Sequence, residues 1–164
     1  MVHKRILHGL DGSKGSFKAL EEAIELAKRY GAELHTVSVE EVPHYPGTVG
    51  EVIEAKQAAN GKFGQAMRQA TDMARQADME LHCHVFTGHE VKTIVEFIKE
   101  KGFDLLVIGS MGHSALYDRI MGSTCDSLVR LASCNVLVVK QHHDAFPCDG
   151  PEQPKQRFSR NGRP

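Results

Sequence analysis

The chain carries no surplus of charge of either sign: 20 Lys and Arg stand against 21 Asp and Glu, a formal net charge of −1 at pH 7. Without a basic stripe there is no electrostatic footprint for DNA, RNA or an anionic membrane surface. Long apolar runs are missing as well. No stretch approaches the roughly 20 residues that span a bilayer, and Met1 to Arg5 leads into strand-like sequence, not into the apolar core of a secretory signal. These absences give the expectation of a cytoplasmic protein with neither nucleic acid nor membrane as partner. Cysteine is sparse: Cys83, Cys125, Cys134 and Cys148 form no CxxC pair, so a zinc spacing and a disulfide framework are both excluded and reduced thiols are expected. Also absent are the GxxxxGK[ST] of P-loop proteins and a GxGxxG after the first strand, which argues against a dinucleotide-dependent dehydrogenase. The turn from Leu10 to Ser16 lacks the SGGxDS of pyrophosphate-releasing synthetases.

What the chain does have is an alternation of strand and helix patterns. Lys4 to Leu10 reads as a strand. Ser16 to Tyr30 follows as a helix with Phe17, Leu20, Ile24 and Ala27 on one face, Ser16 as N-cap and Gly31 as stop. Glu33 to Val42 is a second strand. Pro43, Pro46, Gly47 and Gly50 mark a loop, and about Glu51 to Ala77 turns helical, with Phe63, Met67, Ala70 and Ala74 aligned and Gly61 and Gly64 expected to weaken its start. Glu80 to Phe86 is a third strand, Val91 to Lys101 a helix buried through Ile94, Val95 and Ile98, and Asp104 to Ile108 a fourth strand. Ser123 to Ala132 is a helix and Asn135 to Lys140 a last strand. Such alternation predicts an α/β fold: a single-domain, five-stranded parallel sheet with helices on both faces, Rossmann-like. The 164 residues suit one domain. Residues 1–140 carry the pattern. Residues 141–164, with Pro147, Pro151, Pro154 and Pro164 among polar residues, read as a flexible tail.

The most specific signal is a glycine spacing: Gly109, two residues, Gly112, nine residues, Gly122, then Ser123 and Thr124. Gly109 follows the apolar run Leu105 to Ile108, and Gly122 opens a helix. Glycines admit backbone amides close to an anion, and a helix N-terminus adds unpaired N–H groups with partial positive charge, so the arrangement suits phosphate. Ligands of parallel sheets bind beyond the carboxyl ends of the strands, where Asp11, Ser38 to Glu40, Gly88 and Gly109 fall. An Asp-Gly-Ser turn would equally let Asp11 bond its own backbone. Arg119, between the two later glycines, reads as a solvent-exposed loop residue. His82 and His84 share a strand face, with His89 next and His142 and His143 in the tail. No metal-ligand spacing is completed around them, and they read as surface imidazoles.

On four pieces the chain resembles the universal stress protein family, in its ATP-binding branch. These are Ile6 to Ser13 ending in Asp-Gly-Ser; the helix bearing Ser16, Ala19, Leu20 and Ala23; the Gly109, Gly112, Gly122, Ser123 spacing; and Cys134 to Val139. The resemblance implies an adenine nucleotide alpha hydrolase-like fold and bound ATP, with Mg²⁺. It implies Asp11 beside the ribose or the metal–phosphate region, Gly9 on the same edge, and a backbone contact to adenine at Ser38 or Val39, Ser38 being the residue named. It further implies Ile108 against the nucleoside, Gly109 and Gly112 under ribose and phosphates, and Gly122, Ser123 and Thr124 completing the phosphate cradle. A homodimer through the last strand follows from the same resemblance. One departure stands out: the family commonly has proline where this chain has Glu90. The expected function is a nucleotide-dependent regulatory module in stress response, read by an unidentified protein partner. The alternatives are a slow ATPase or adenylyl-transferring enzyme on the same architecture, for which no catalytic constellation is apparent, and an interaction module without nucleotide.

Overall fold

The computed structural model describes residues 3–41, 49–110 and 121–140. Five strands in this set form one parallel sheet: β1 (Arg5–Gly9), β2 (Glu33–Glu40), β3 (Leu81–Thr87), β4 (Leu105–Gly109) and β5 (Asn135–Val139), in the order β3-β2-β1-β4-β5. Between them run α1 (Lys14–Tyr30), α2 (Val49–Gln76), α3 (Glu90–Lys101) and α4 (Ser123–Leu131). The expected α/β fold is therefore the observed one. In the parallel register Leu7 pairs with His35 and with Leu106, and Val107 pairs with Leu137 of the edge strand.

Strand period two sends alternate residues into two cores. Ile6, Leu34, Leu105 and Val107 face α1 and α2, meeting Leu20, Ile24, Phe63, Met67, Ala70 and Ala74. Leu7, Val37, Leu106 and Ile108 face α3 and α4, meeting Ile94, Phe97, Ile98 and Leu128. Each fully buried Leu or Ile contributes about 1.5–3 kcal/mol relative to exposure. The expected apolar faces of α1 and α2 are there, with Phe17 only partly buried; on α3, Phe97 takes a core place, and Val95 packs at its border.

Three local expectations differ from the structure. The N-cap of α1 is Ser13, not Ser16: the Ser13 hydroxyl accepts the Ser16 N–H at 3.2 Å, and the Ser16 hydroxyl donates back to the Ser13 carbonyl at 2.8 Å. A buried serine inside the first turn was mistaken for the one that starts it. Gly61 and Gly64 do not interrupt α2, because the Phe63 to Ala74 face gains more from burial than two glycines cost. His84 is no surface imidazole, as it packs edge-on to Phe97 with ring centroids 4.8 Å apart. The proline and glycine loop at 43–48 and the segment 141–164, with His142, His143 and Cys148, lie outside the described residues.

Candidate functional site

Strand order reverses beside β1: the chain leaves β1 toward β2 on one side and returns as β4 on the other. Beyond their carboxyl ends, β1 feeds α1 on one face and β4 leads toward α4 on the opposite face, so a crevice opens there. The expected site residues Gly9, Asp11, Ile108, Gly109, Gly122, Ser123 and Thr124 all fall around it. Gly112 and Arg119 lie outside the described residues.

Gly9 and Gly109 allow the walls to close. A Cβ on Gly109 would stand 3.0 Å from the Gly15 carbonyl carbon and oxygen, and one on Gly9 would stand 3.0 Å from Ile108 Cγ2. Gly109 is thus where the first turn of α1 rests on the end of β4. Ile108 is buried in the α3–α4 core.

The β1–α1 turn is internally bonded. Asp11 Oδ1 accepts the Ser13 N–H at 2.8 Å, and Gly12 takes a left-handed φ of 82° between them. Asp11 therefore shapes the turn, and this holds its carboxylate at the strand edge as any ligand role requires. Beneath the turn lies His8, wholly buried, which the sequence reading passed over. The Ser16 carbonyl can only accept, so His8 Nε2 donates to it at 2.8 Å and Nδ1 accepts from the Thr36 hydroxyl at 2.9 Å. Burial pushes the His8 pKa down to about 4, against smaller opposing effects of the Ser16 bond and of Asp11. It is a neutral strut joining β1, β2 and α1. Its only sequence signal is a histidine sharing the Ile6 side of an apolar strand.

Ser38 is buried and its hydroxyl donates to the Leu10 carbonyl at 2.6 Å. Its side chain is a brace across β1 and β2. The Val37 carbonyl accepts the Leu10 N–H and the Glu40 carbonyl accepts the Gly88 N–H, each at 2.9 Å. Backbone direction alternates along β2, so the Ser38 main chain turns toward β3 and that of Val39 toward the crevice side, past the end of β1. Of the two residues left open by the register, Val39 has the better placed backbone.

On the other wall, Gly122 is the N-cap of α4, with extended φ −61° and ψ 149° and no side-chain cap. Its N–H donates to the Ser110 carbonyl at 3.1 Å, and the Ser110 N–H donates to the Val139 carbonyl at 3.0 Å. The two ends of the segment from Gly109 to Gly122 are thereby pinned together on the sheet. Ser123 and Thr124 form the first turn of α4. The Thr124 hydroxyl donates to Glu90 Oε2 at 3.1 Å, tying α4 to the start of α3 through the residue that departs from the family's proline. A glycine-bearing turn after β1, the glycine-capped N-terminus of α4 and the carboxylates of Asp11 and Glu90 meet at this rim; no nucleophile–base pair stands out among its described residues.

The universal stress protein family model matches residues 3–140. A universal stress protein of Methanocaldococcus jannaschii is 31% identical over 144 residues, covering 85% of this chain and 84% of its own. Among solved structures, UspA from Lactobacillus plantarum aligns with a TM-score of 0.77 at 27% identity over 85% of this chain and 99% of its own. A universal stress protein solved in complex with cAMP aligns with a TM-score of 0.66 at 26% identity over 85% and 98%. The fold, the reversal point of the sheet and these likenesses agree: the chain belongs to the universal stress protein family.

Proposed function

We propose that this chain is a cytoplasmic, nucleotide-dependent regulatory module that binds ATP at the crevice between β1 and β4. The observation that carries the reading is the convergence at one rim of the Gly109 turn and the α4 N-terminus, whose first-turn amides are left without a side-chain cap. Amides at a helix start are suited to phosphate oxygens. The cAMP complex of a relative supports an adenine nucleotide as the class of ligand. Gly122, Ser123 and Thr124 hold the phosphates in this reading, with Gly109 and Gly112 beneath them, Ile108 behind the nucleoside and the Ser38–Val39 backbone at the adenine. Asp11 fits Mg²⁺ or a ribose hydroxyl, since a carboxylate repels bare phosphate but suits a hard cation or a hydroxyl donor. Mg²⁺ would supply charge neutralisation there.

A homodimer through β5 belongs to the same reading. β5 is an edge strand, and Leu137 on it is exposed together with Val129 and Leu131 of α4. An apolar edge left open invites pairing. A protein partner then reads the occupied state, which requires ATP to bind two conformations with different affinity.

The test is to purify the protein, denature it and identify the released small molecules, then titrate stripped protein with MgATP by calorimetry. Co-purified ATP and heat on titration support the module; ADP with multiple turnover would mark an enzyme instead. Gly122→Val sharpens the result. Extended φ and ψ at Gly122 suit any residue, so the variant should melt within a few degrees of the parent while losing at least about tenfold in ATP affinity, on the order of 1.4 kcal/mol. Undiminished binding would refute the phosphate role of this turn.

A further inference from the structure

We propose that His35, His82 and His84 form an acid-responsive latch on the β3 edge of the sheet: neutral, it clamps β3 to β2 and α3, and uptake of a second proton by the His35–His84 pair releases it.

The three imidazoles sit on the α3 face of neighbouring strands. His35 pairs in register with His82, and its ring lies against both others, with centroids 4.6 Å from His82 and 5.3 Å from His84. His35 Nδ1 and His84 Nε2 are 3.0 Å apart. A hydrogen bond between two ring nitrogens holds one proton: one nitrogen donates, the other accepts. The pair tolerates a first added proton at an outer nitrogen. A second puts N–H against N–H, and the bond becomes a repulsion, so the two rings titrate as a coupled unit.

The surroundings set this bond under load. His35 is only 9% exposed, and its Nε2 is buried without a hydrogen-bond partner. Phe103 stands edge-on to His35 at 5.0 Å, and Phe97 edge-on to His84 at 4.8 Å, so neither ring can turn away without disturbing the α3 contact. The charged groups facing the cluster are Arg5 from β1, Glu33 from β2, Glu80 just before β3, and Lys101 at the end of α3. Glu33 stands 3.6 Å from His35 Nε2, but the same carboxylate oxygen already accepts from Arg5 Nε at 2.9 Å and is exposed, so its help to a charged His35 is small. Burial, then His82 and His84, push the His35 pKa down to about 4, and burial, then His82 and Lys101, lower that of His84.

The direction of the effect follows. Both groups have folded pKa values below their unfolded ones, so their contribution is complete above about 6.5 and is lost as pH falls toward about 4. The released strand leads to Gly88 and Glu90, and Glu90 holds Thr124 at the crevice rim, so the loosening reaches the site end of the molecule.

Native-state hydrogen exchange, corrected for the intrinsic pH dependence of the chemistry, tests this on the full chain. Protection of the β3 amides should fall on the order of tenfold or more between about pH 7 and about pH 5. In a His35→Phe, His84→Phe double variant, whose rings suit the Phe97 and Phe103 surroundings, the fall should shrink to about threefold or less. An equal fall in the double variant, or none in the parent, overturns the latch. Histidine NMR titration of the parent decides the matter if the double variant does not fold. A coupled pair with its second step far below the ordinary imidazole range supports the proposal, and two independent ordinary titrations refute it.

Discussion

A methyl group added at Gly109 would meet backbone, the Gly15 carbonyl, at 3.0 Å, whereas one added at Gly9 would meet the Cγ2 methyl of Ile108 at that distance. Backbone cannot step aside without moving α1, while one side-chain methyl can give by a few tenths of an ångström. Gly109→Ala should therefore destabilise by about 1–3 kcal/mol and Gly9→Ala by less, as denaturant unfolding would measure; equal costs would mean that α1 yields easily. The glycine spacing was legible as a signal, yet its first member has a packing duty that spacing alone does not reveal. The same holds at Ser38 and Thr124, whose hydroxyls are bonded within the protein, whereas the bond of Asp11 to the Ser13 amide is the local turn that Asp-Gly-Ser suggested. Sequence gives the residue type at a strand end; it does not give the partner a side chain finds 28 or 34 positions away.

At the scale of elements, the order and faces of strands and helices were legible because apolar periodicity is local and strong. Helix starts were less so. Ser13 and Ser16 both suit a cap by residue type, and the choice was made by Gly12, whose left-handed φ turns the chain into the helix one residue before Ser13. Ser13→Ala should cost about 1 kcal/mol, measured by thermal or denaturant unfolding. Ser16→Ala would instead remove the hydroxyl bond back to Ser13 and leave the cap acceptor in place; a larger loss from Ser16 than from Ser13 would reverse this assignment. His84 on β3 was misjudged for a related reason. Period two put His82 and His84 on one face, but it could not say that His35 and Phe97 would cover it.

For the whole molecule, strand order was the main quantity that periodicity left open, since β3-β2-β1-β4-β5 arises from crossovers between distant segments. That order makes β3 and β5 the two edges, and they are protected differently: β3 is backed by α2 and the histidine and phenylalanine cluster, while β5 leaves Leu137 at 37% exposure. If β5 is the dimer edge, Leu137→Arg should convert a dimer into a monomer in sedimentation equilibrium while leaving the helical circular dichroism signal unchanged. A parent that sediments as a monomer would remove the basis for this edge as an interface.

The bond from the Gly122 amide to the Ser110 carbonyl, with the next amide back seated on Val139, acts as a drawstring at the mouth of the chain's excursion between them. Because the knot is tied in backbone, a change of the Ser110 side chain leaves it in place. Lengthening the chain between these two points adds little closure entropy, so this is the place where the protein can change its vocabulary without rewriting its grammar.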